Sequence, residues 1–289
     1  MGEQVTIVSS FRSGKNISTR FTNMNRPIKQ VGMLSLSAVA LAFSASAQVD
    51  AIDLFLDGND TVNPTWTHHS GLAGSSGQTW TVAGGAYRLQ APNNSPVPGI
   101  QTYGYIGSLL GSTNSDVRVE ADFLDWAEPT DGLGGVFGIG ARWQTTGGLN
   151  NLKGYGYAYE PFAASGQGEM VLYKFNGVNI ADVGSQQVNL NPNKSYHFLL
   201  DITGNTLIGQ VYEIGGGIVA EKSYTDNSSP YLSGVSSVFG YSAAAVGLPA
   251  TDFTVDNVVV LVPEPAAYAL GGLGLLAMIL VRRNRMARI

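Results

Sequence analysis

The chain has 289 residues, 37 glycines and no cysteine, so neither a disulfide framework nor thiolate chemistry is available to it. Its formal charge of −5 hides a segregation: residues 48–262 hold seven Lys/Arg against nineteen Asp/Glu, a net of −12, and the other nine basic residues lie before position 30 and after position 281. A body this acidic repels polyanions, which argues against nucleic acid as a partner.

The first feature in chain order is an uncharged run at 31–43, VGMLSLSAVALAF. Arg12, Lys15, Arg20, Arg26 and Lys29 precede it, and Ala45 and Ala47 follow at A-x-A spacing. This is the pattern of a secretory signal peptide over residues 1–47, with an N-terminal signal helix and cleavage between Ala47 and Gln48. Thirteen apolar residues are too few to span ~30 Å of hydrocarbon. Met24 would give a leader of more ordinary length than Met1.

Residues 48–262 show no long 3.6-residue period. Short alternating runs bounded by turn residues recur instead. They are IDLFLD (52–57), TWTVAGGAYRLQA (79–91, two strands around Gly84-Gly85), SDVRVEADFLDW (115–126), GVFGIGARW (135–143), GYGYAYE (154–160) and GEMVLYKFNG (168–177). Then come SYHFLLDITGNTLIGQVYEI (195–214, a hairpin turning near Gly204-Asn205), GIVAEKSYT (217–225), VSSVFGYSA (235–243) and TDFTVDNVVVLV (251–262). About a dozen such strands predict an all-β fold, an antiparallel β-sandwich or jelly roll.

Several residues in these runs are chemical candidates. Tyr155, Tyr157 and Tyr159 alternate, so one strand face carries three rings ~6.6 Å apart. With Trp143 they form either a row on which sugars stack or packing inside the sandwich. Glu120, Asp122 and Asp125 lie in EADFLD, where a polar outer face and a catalytic set are both open readings. The adjacent His68 and His69 read as a solvated loop. H-E-x-x-H, G-x-S-x-G and the Walker lysine motif are all missing from the sequence.

The chain closes on Pro263-Glu264-Pro265, then sixteen uncharged residues at 266–281, then Arg282, Arg283, Arg285 and Arg288. Sixteen residues make ~24 Å of helix, a marginal single transmembrane helix. The arginines stay cytoplasmic by the positive-inside rule, which holds the body outside. The two prolines keep regular structure from running through the junction.

This tail resembles the PEP-CTERM sorting signal of exported proteins in Gram-negative bacteria that make extracellular polysaccharide. The resemblance implies Sec export, a transient membrane foothold and processing by an exosortase at 263–289. The body, residues 48–262, resembles the concanavalin A-like lectin/glucanase superfamily. The resembling features are W-x-V-x-G-G-x-Y-x-L at 80–89, the VRVEADF strand and the closing FTVDNVVV with Asp256-Asn257. That likeness implies a sugar-binding concave face and a structural calcium ion held by Asp57, Asp60 and Asp256. Retaining glucanases of the superfamily carry Glu-x-Asp-x-(x)-Glu on one strand, which Glu120 and Asp122 match and Asp125 completes with a side chain one methylene short.

The expectation is therefore a non-enzymatic exported protein of the cell surface or extracellular matrix, binding extracellular polysaccharide or acting structurally. It needs no cofactor apart from that calcium. The alternative is a glycoside hydrolase or lyase using Glu120 and Asp122.

Overall fold

The computed structural model describes residues 47–70, 78–91, 102–126, 135–144, 152–161, 167–177, 179–244 and 251–263. The expected signal peptide up to residue 46 and the tail from Glu264 onward, with Pro265, Arg282, Arg283 and Arg285, lie outside the described residues. Among the described residues no helix is long and apolar enough to cross a membrane.

Among the described residues, fifteen strands form two antiparallel sheets packed face to face. One has the order β13-β12-β11-β6-β15-β4-β3, with β1 also paired to β15. Its strands are β13 (Ile218–Thr225), β12 (Thr206–Glu213), β11 (Tyr196–Thr203), β6 (Val117–Trp126), β15 (Thr251–Pro263), β4 (Ala86–Ala91), β3 (Thr79–Ala83) and β1 (Ala47–Asp53). The other has the order β10-β9-β8-β7-β14-β5-β2. These are β10 (Asn179–Gln187), β9 (Glu169–Asn176), β8 (Lys153–Glu160), β7 (Val136–Gln144), β14 (Gly234–Ala244), β5 (Thr102–Asn114) and β2 (Thr67–Ser70).

The alternation in β6 selects the core face. Val117, Val119, Ala121 and Phe123 are buried, and Arg118, Glu120 and Asp122 point away from them. Phe123 packs on Phe198, Phe137 and Phe253 at centroid distances of 4.3, 5.2 and 5.8 Å. β15 is an interior strand, flanked by β6 on one edge and by β4 and β1 on the other. It buries Phe253, Val255, Val258 and Val260.

The seven-stranded sheet also carries a smaller aromatic cluster on its outer face. Trp143 lies 5.3 Å from Phe175 and 5.0 Å from Phe239. Glycines beneath these rings make the close approach possible. A Cβ on Gly140 would lie 2.5 Å from Trp143 Cε2, and one on Gly156 would lie 2.8 Å from Phe239 Cζ.

Two buried charges fasten the loops. Arg142, at φ +55°, donates to the carbonyls of Ser115, Gly204 and Tyr231 and to Asp116. Asp226 is fully buried and accepts from Tyr155 Oη at 2.8 Å, Lys174 Nζ at 2.5 Å, and the backbone N–H groups of Ser228 and Ser229. Burial alone raises its pKa, but these donors overcome that and hold the carboxyl well below the usual carboxylate range.

The structure departs from the sequence reading in places. The first strand is 47–53, not 52–57. Asp53 turns inward and accepts from Trp66 Nε1 and the Phe55 N–H, which folds the following segment back over the core. β2, β5 and β10 were not anticipated. β5 is rich in Gly and Ser, and β10 is a polar edge strand, so neither shows a clean apolar alternation.

Candidate functional site

On the outer face of the eight-stranded sheet, β11, β6 and β15 set a chain of polar side chains side by side. His197 stands opposite Asp122 across the β11–β6 ladder, and Asp201 stands opposite Arg118. His197 Nδ1 lies 2.7 Å from Asp122 Oδ1, and its Nε2 lies 3.4 Å from Glu120 Oε2. Asn257 donates to Asp122 Oδ2 at 2.8 Å. Arg118 sits 3.8 Å from Glu120 and donates to Asp201 at 2.9 Å. Asp122 first, then Glu120, raise the His197 pKa to about 9. The same imidazole holds the Glu120 carboxyl below its ordinary value. His197 escaped the sequence reading, although it sits at an outward position between the core residues Tyr196 and Phe198. Asp125 joins this outer face through a bulge, since Phe123 pairs with Val255 and Asp125 with Thr254.

The tyrosine row is not a ligand platform. Tyr155, Tyr157 and Tyr159 do share one face, but it is the face packed against the other sheet, and all three are buried. Tyr155 Oη donates to Asp226 and accepts from the Tyr231 N–H. The Tyr157 ring lies against Gly209 of β12, where a Cβ would come within 2.5 Å. Tyr159 Oη accepts the Leu190 N–H. The reason is volume: the intervening positions of β8 are Gly154, Gly156 and Ala158, which cannot fill a core. Trp143 is buried as well, donating from Nε1 to the Tyr155 carbonyl at 2.7 Å.

The partly open aromatic and acidic patch lies instead on the outer face of the seven-stranded sheet. Glu160 ends β8 in the phase opposite to the tyrosines and stands across from Glu169 of β9. Tyr173 donates from Oη to Glu160 Oε2 at 3.0 Å and meets the half-buried Tyr241 ring edge-on at 5.9 Å. Burial pushes the Glu160 pKa up, and Glu169 and Asp182 add to this. The sequence signal lies in the phase of Glu160 and Tyr173, opposite to that of the core-facing tyrosines of β8.

Each of the three candidate calcium ligands makes a bond to a nearby residue. Asp60 Oδ2 lies 2.6 Å from His68 Nε2, Asp57 accepts the Asn59 N–H, and Asp256 accepts the Asn257 N–H. Among the described residues no group of three His, Cys, Asp or Glu side chains converges to hold a metal ion. His68 is exposed, but it lies on strand β2 and not in a loop, its ring stacked on Trp80 at 4.6 Å.

At the end of the sandwich where β15 finishes, Pro263 pairs with Ala47 of β1. A family model described as the PEP-CTERM protein-sorting motif matches residues 261–285, starting on this last stretch of β15. Residues 261–285 are a PEP-CTERM sorting motif. Such a signal marks an exported protein of the cell envelope or surface.

The sandwich is similar to solved structures. One is the CBM2 module of Lactobacillus casei BL23 phage J-1 evolved Dit, at 12% identity and TM-score 0.52, with 76% of this chain and 97% of that one covered. Another is the VIP36 exoplasmic/lumenal domain in its Ca²⁺/Man3GlcNAc-bound form, at 12% identity and TM-score 0.51, with 76% and 92% covered. Identities this low establish a shared fold, an antiparallel β-sandwich of two sheets, and nothing of ligand. No curated protein matches the chain.

Proposed function

We propose that this is an exported, non-enzymatic surface protein that binds glycan. It reaches the envelope through exosortase recognition of the PEP-CTERM tail. The observation that carries the proposal is the joining of a lectin-type sandwich to that sorting motif. The outer face of the seven-stranded sheet supplies suitable chemistry. Tyr241 offers a half-buried aromatic ring for sugar C–H groups, and the Glu160 and Glu169 carboxyls accept sugar hydroxyls.

The hydrolase alternative asks Glu120 and Asp122 to act as a carboxyl pair, one of them protonated. Both are bonded to a cationic imidazole, and Glu120 is held ionised, which supports the binding reading over the catalytic one.

The test is a polysaccharide array probed with and without Ca²⁺, using the wild type, Glu160→Gln, Tyr241→Ala and Glu120→Gln. The proposal expects retention of at least one polysaccharide, weakened about tenfold, or ~1.4 kcal/mol, by Glu160→Gln or Tyr241→Ala. An array on which nothing binds overturns it in favour of a purely structural role. Hydrolysis lost in Glu120→Gln overturns it in favour of an enzyme.

A further inference from the structure

The β1–β15 ladder brings the two ends of the described body to one end of the sandwich. The chain enters β1 at Ala47 and leaves β15 at Pro263, and these two residues face each other as the terminal pair. β1 is held in place there by Asp50, which accepts from the Ser112 N–H at 2.8 Å, Ser112 Oγ at 2.6 Å and Asn114 Nδ2 at 3.0 Å. Both tails thus join the body at one point. In the sequence the uncharged run starts at Ala266, three residues after Pro263, a reach of at most about 10 Å.

The register carries this end across the sheet. Leu261 lies beside Arg118, Ile202 beside Val117, and Thr203 beside Thr206. The turn at Gly204-Asn205 is therefore level with the tails. The β12–β13 turn at Gly215–Gly217 lies one strand length away, about 23 Å along β12.

The two ends also differ in charge. Near the tails the turns carry Asn114, Ser115, Asn205, Asn227 and Ser228, and the carboxylates are tied. Asp116 bonds Arg142, Asp201 bonds Arg118, and Asp226 bonds Lys174. At the other end Lys194 bridges Glu213 and Arg88 bridges Asp252, but, among the described residues, no Lys or Arg bridges Glu160 or Glu169. An end of amides and hydroxyls whose carboxylates are mostly paired with cations approaches a lipid headgroup layer at lower cost than an end that keeps Glu160 and Glu169 without a cation.

We infer that the end bearing the Gly204-Asn205 turn docks against the bilayer surface while the C-terminal run is inserted. The end bearing Gly215–Gly217, Glu160 and Glu169 then points away from the membrane. This rests on the sorting reading above, because the uncharged run must first enter the bilayer.

The absence of cysteine makes the test direct. Thr203→Cys and Gly217→Cys are exposed positions, and a Cβ on Gly217 meets nothing within 4 Å. Each full-length variant carries one thiol-linked fluorophore and is reconstituted into phosphatidylcholine vesicles containing a lipid with a nitroxide headgroup. The expected result is loss of most of the fluorescence at position 203 and little loss at position 217. Equal or inverted quenching in protein that floats with the vesicles overturns the orientation alone. Protein that fails to float overturns the membrane foothold and the orientation together.

Discussion

The imidazole of His197 is clasped by Asp122, at 2.7 Å on the next strand of the sheet. The pair makes stability depend on pH with a definite sign. The folded pKa of His197 is raised to about 9 from 6.5, so its contribution is complete below pH ~6.5 and is lost as pH rises toward 9. Glu120, whose pKa is lowered, contributes in the opposite sense, losing its share as pH falls below about 4.5. With partial solvent screening the alkaline loss should be about 1–2 kcal/mol. Thermal melts from pH 5 to 10 should show it, and His197→Gln should flatten the alkaline arm.

Two tyrosines two residues apart should respond oppositely to removal of their hydroxyls. Tyr155 Oη serves Asp226 and the Tyr231 N–H, so Tyr155→Phe leaves buried groups unpaired and should cost about 1–3 kcal/mol. Tyr157 Oη is buried with no partner, so Tyr157→Phe removes a desolvated hydroxyl and should be neutral or stabilising by about 1 kcal/mol. Urea unfolding of the two variants measures both. A large loss in Tyr157→Phe would refute the packing described for it.

Arg142→Ala should be among the most destabilising single changes in the sandwich. It strips partners from the Ser115, Gly204 and Tyr231 carbonyls and leaves Asp116 with its charge uncompensated. A loss of about 3–5 kcal/mol is expected from breaking a buried charge with its bonds. Arg142→Lys should recover little of it, because an ammonium lacks the planar fork that reaches several carbonyls at once. Guanidinium melts of both variants decide the matter.

Because β15 is central in its sheet, the body should not fold until the last strand is present. A chain ending at Ala250 removes the strand that joins β6 to β4 and β1, along with Phe253, Val255, Val258 and Val260. Limited proteolysis and near-ultraviolet circular dichroism should report an unfolded product. Native-like protection in that fragment would contradict the topology.

The fold class was legible because alternation is a local property. Arg118, Glu120 and Asp122 interleave with Val117, Val119, Ala121 and Phe123, and a two-residue period needs no knowledge of the neighbouring strand. The sorting motif was legible for the same reason, since a proline pair, an uncharged run and arginines are read along the chain. β8 marks the limit. Its rings alternate with glycine and alanine, and alternation tells that the rings share a face without telling which face the opposite sheet covers. Gly209 on β12 decides that, by leaving room for Tyr157, and Gly209 lies fifty-two residues further along. His197, Asp122, Glu120 and Asn257 likewise became one cluster only through strand register, which pairs positions far apart in sequence. Contacts set by period and order along the chain were therefore within reach of the sequence. Contacts set by register and by which face is covered required the packed sheets.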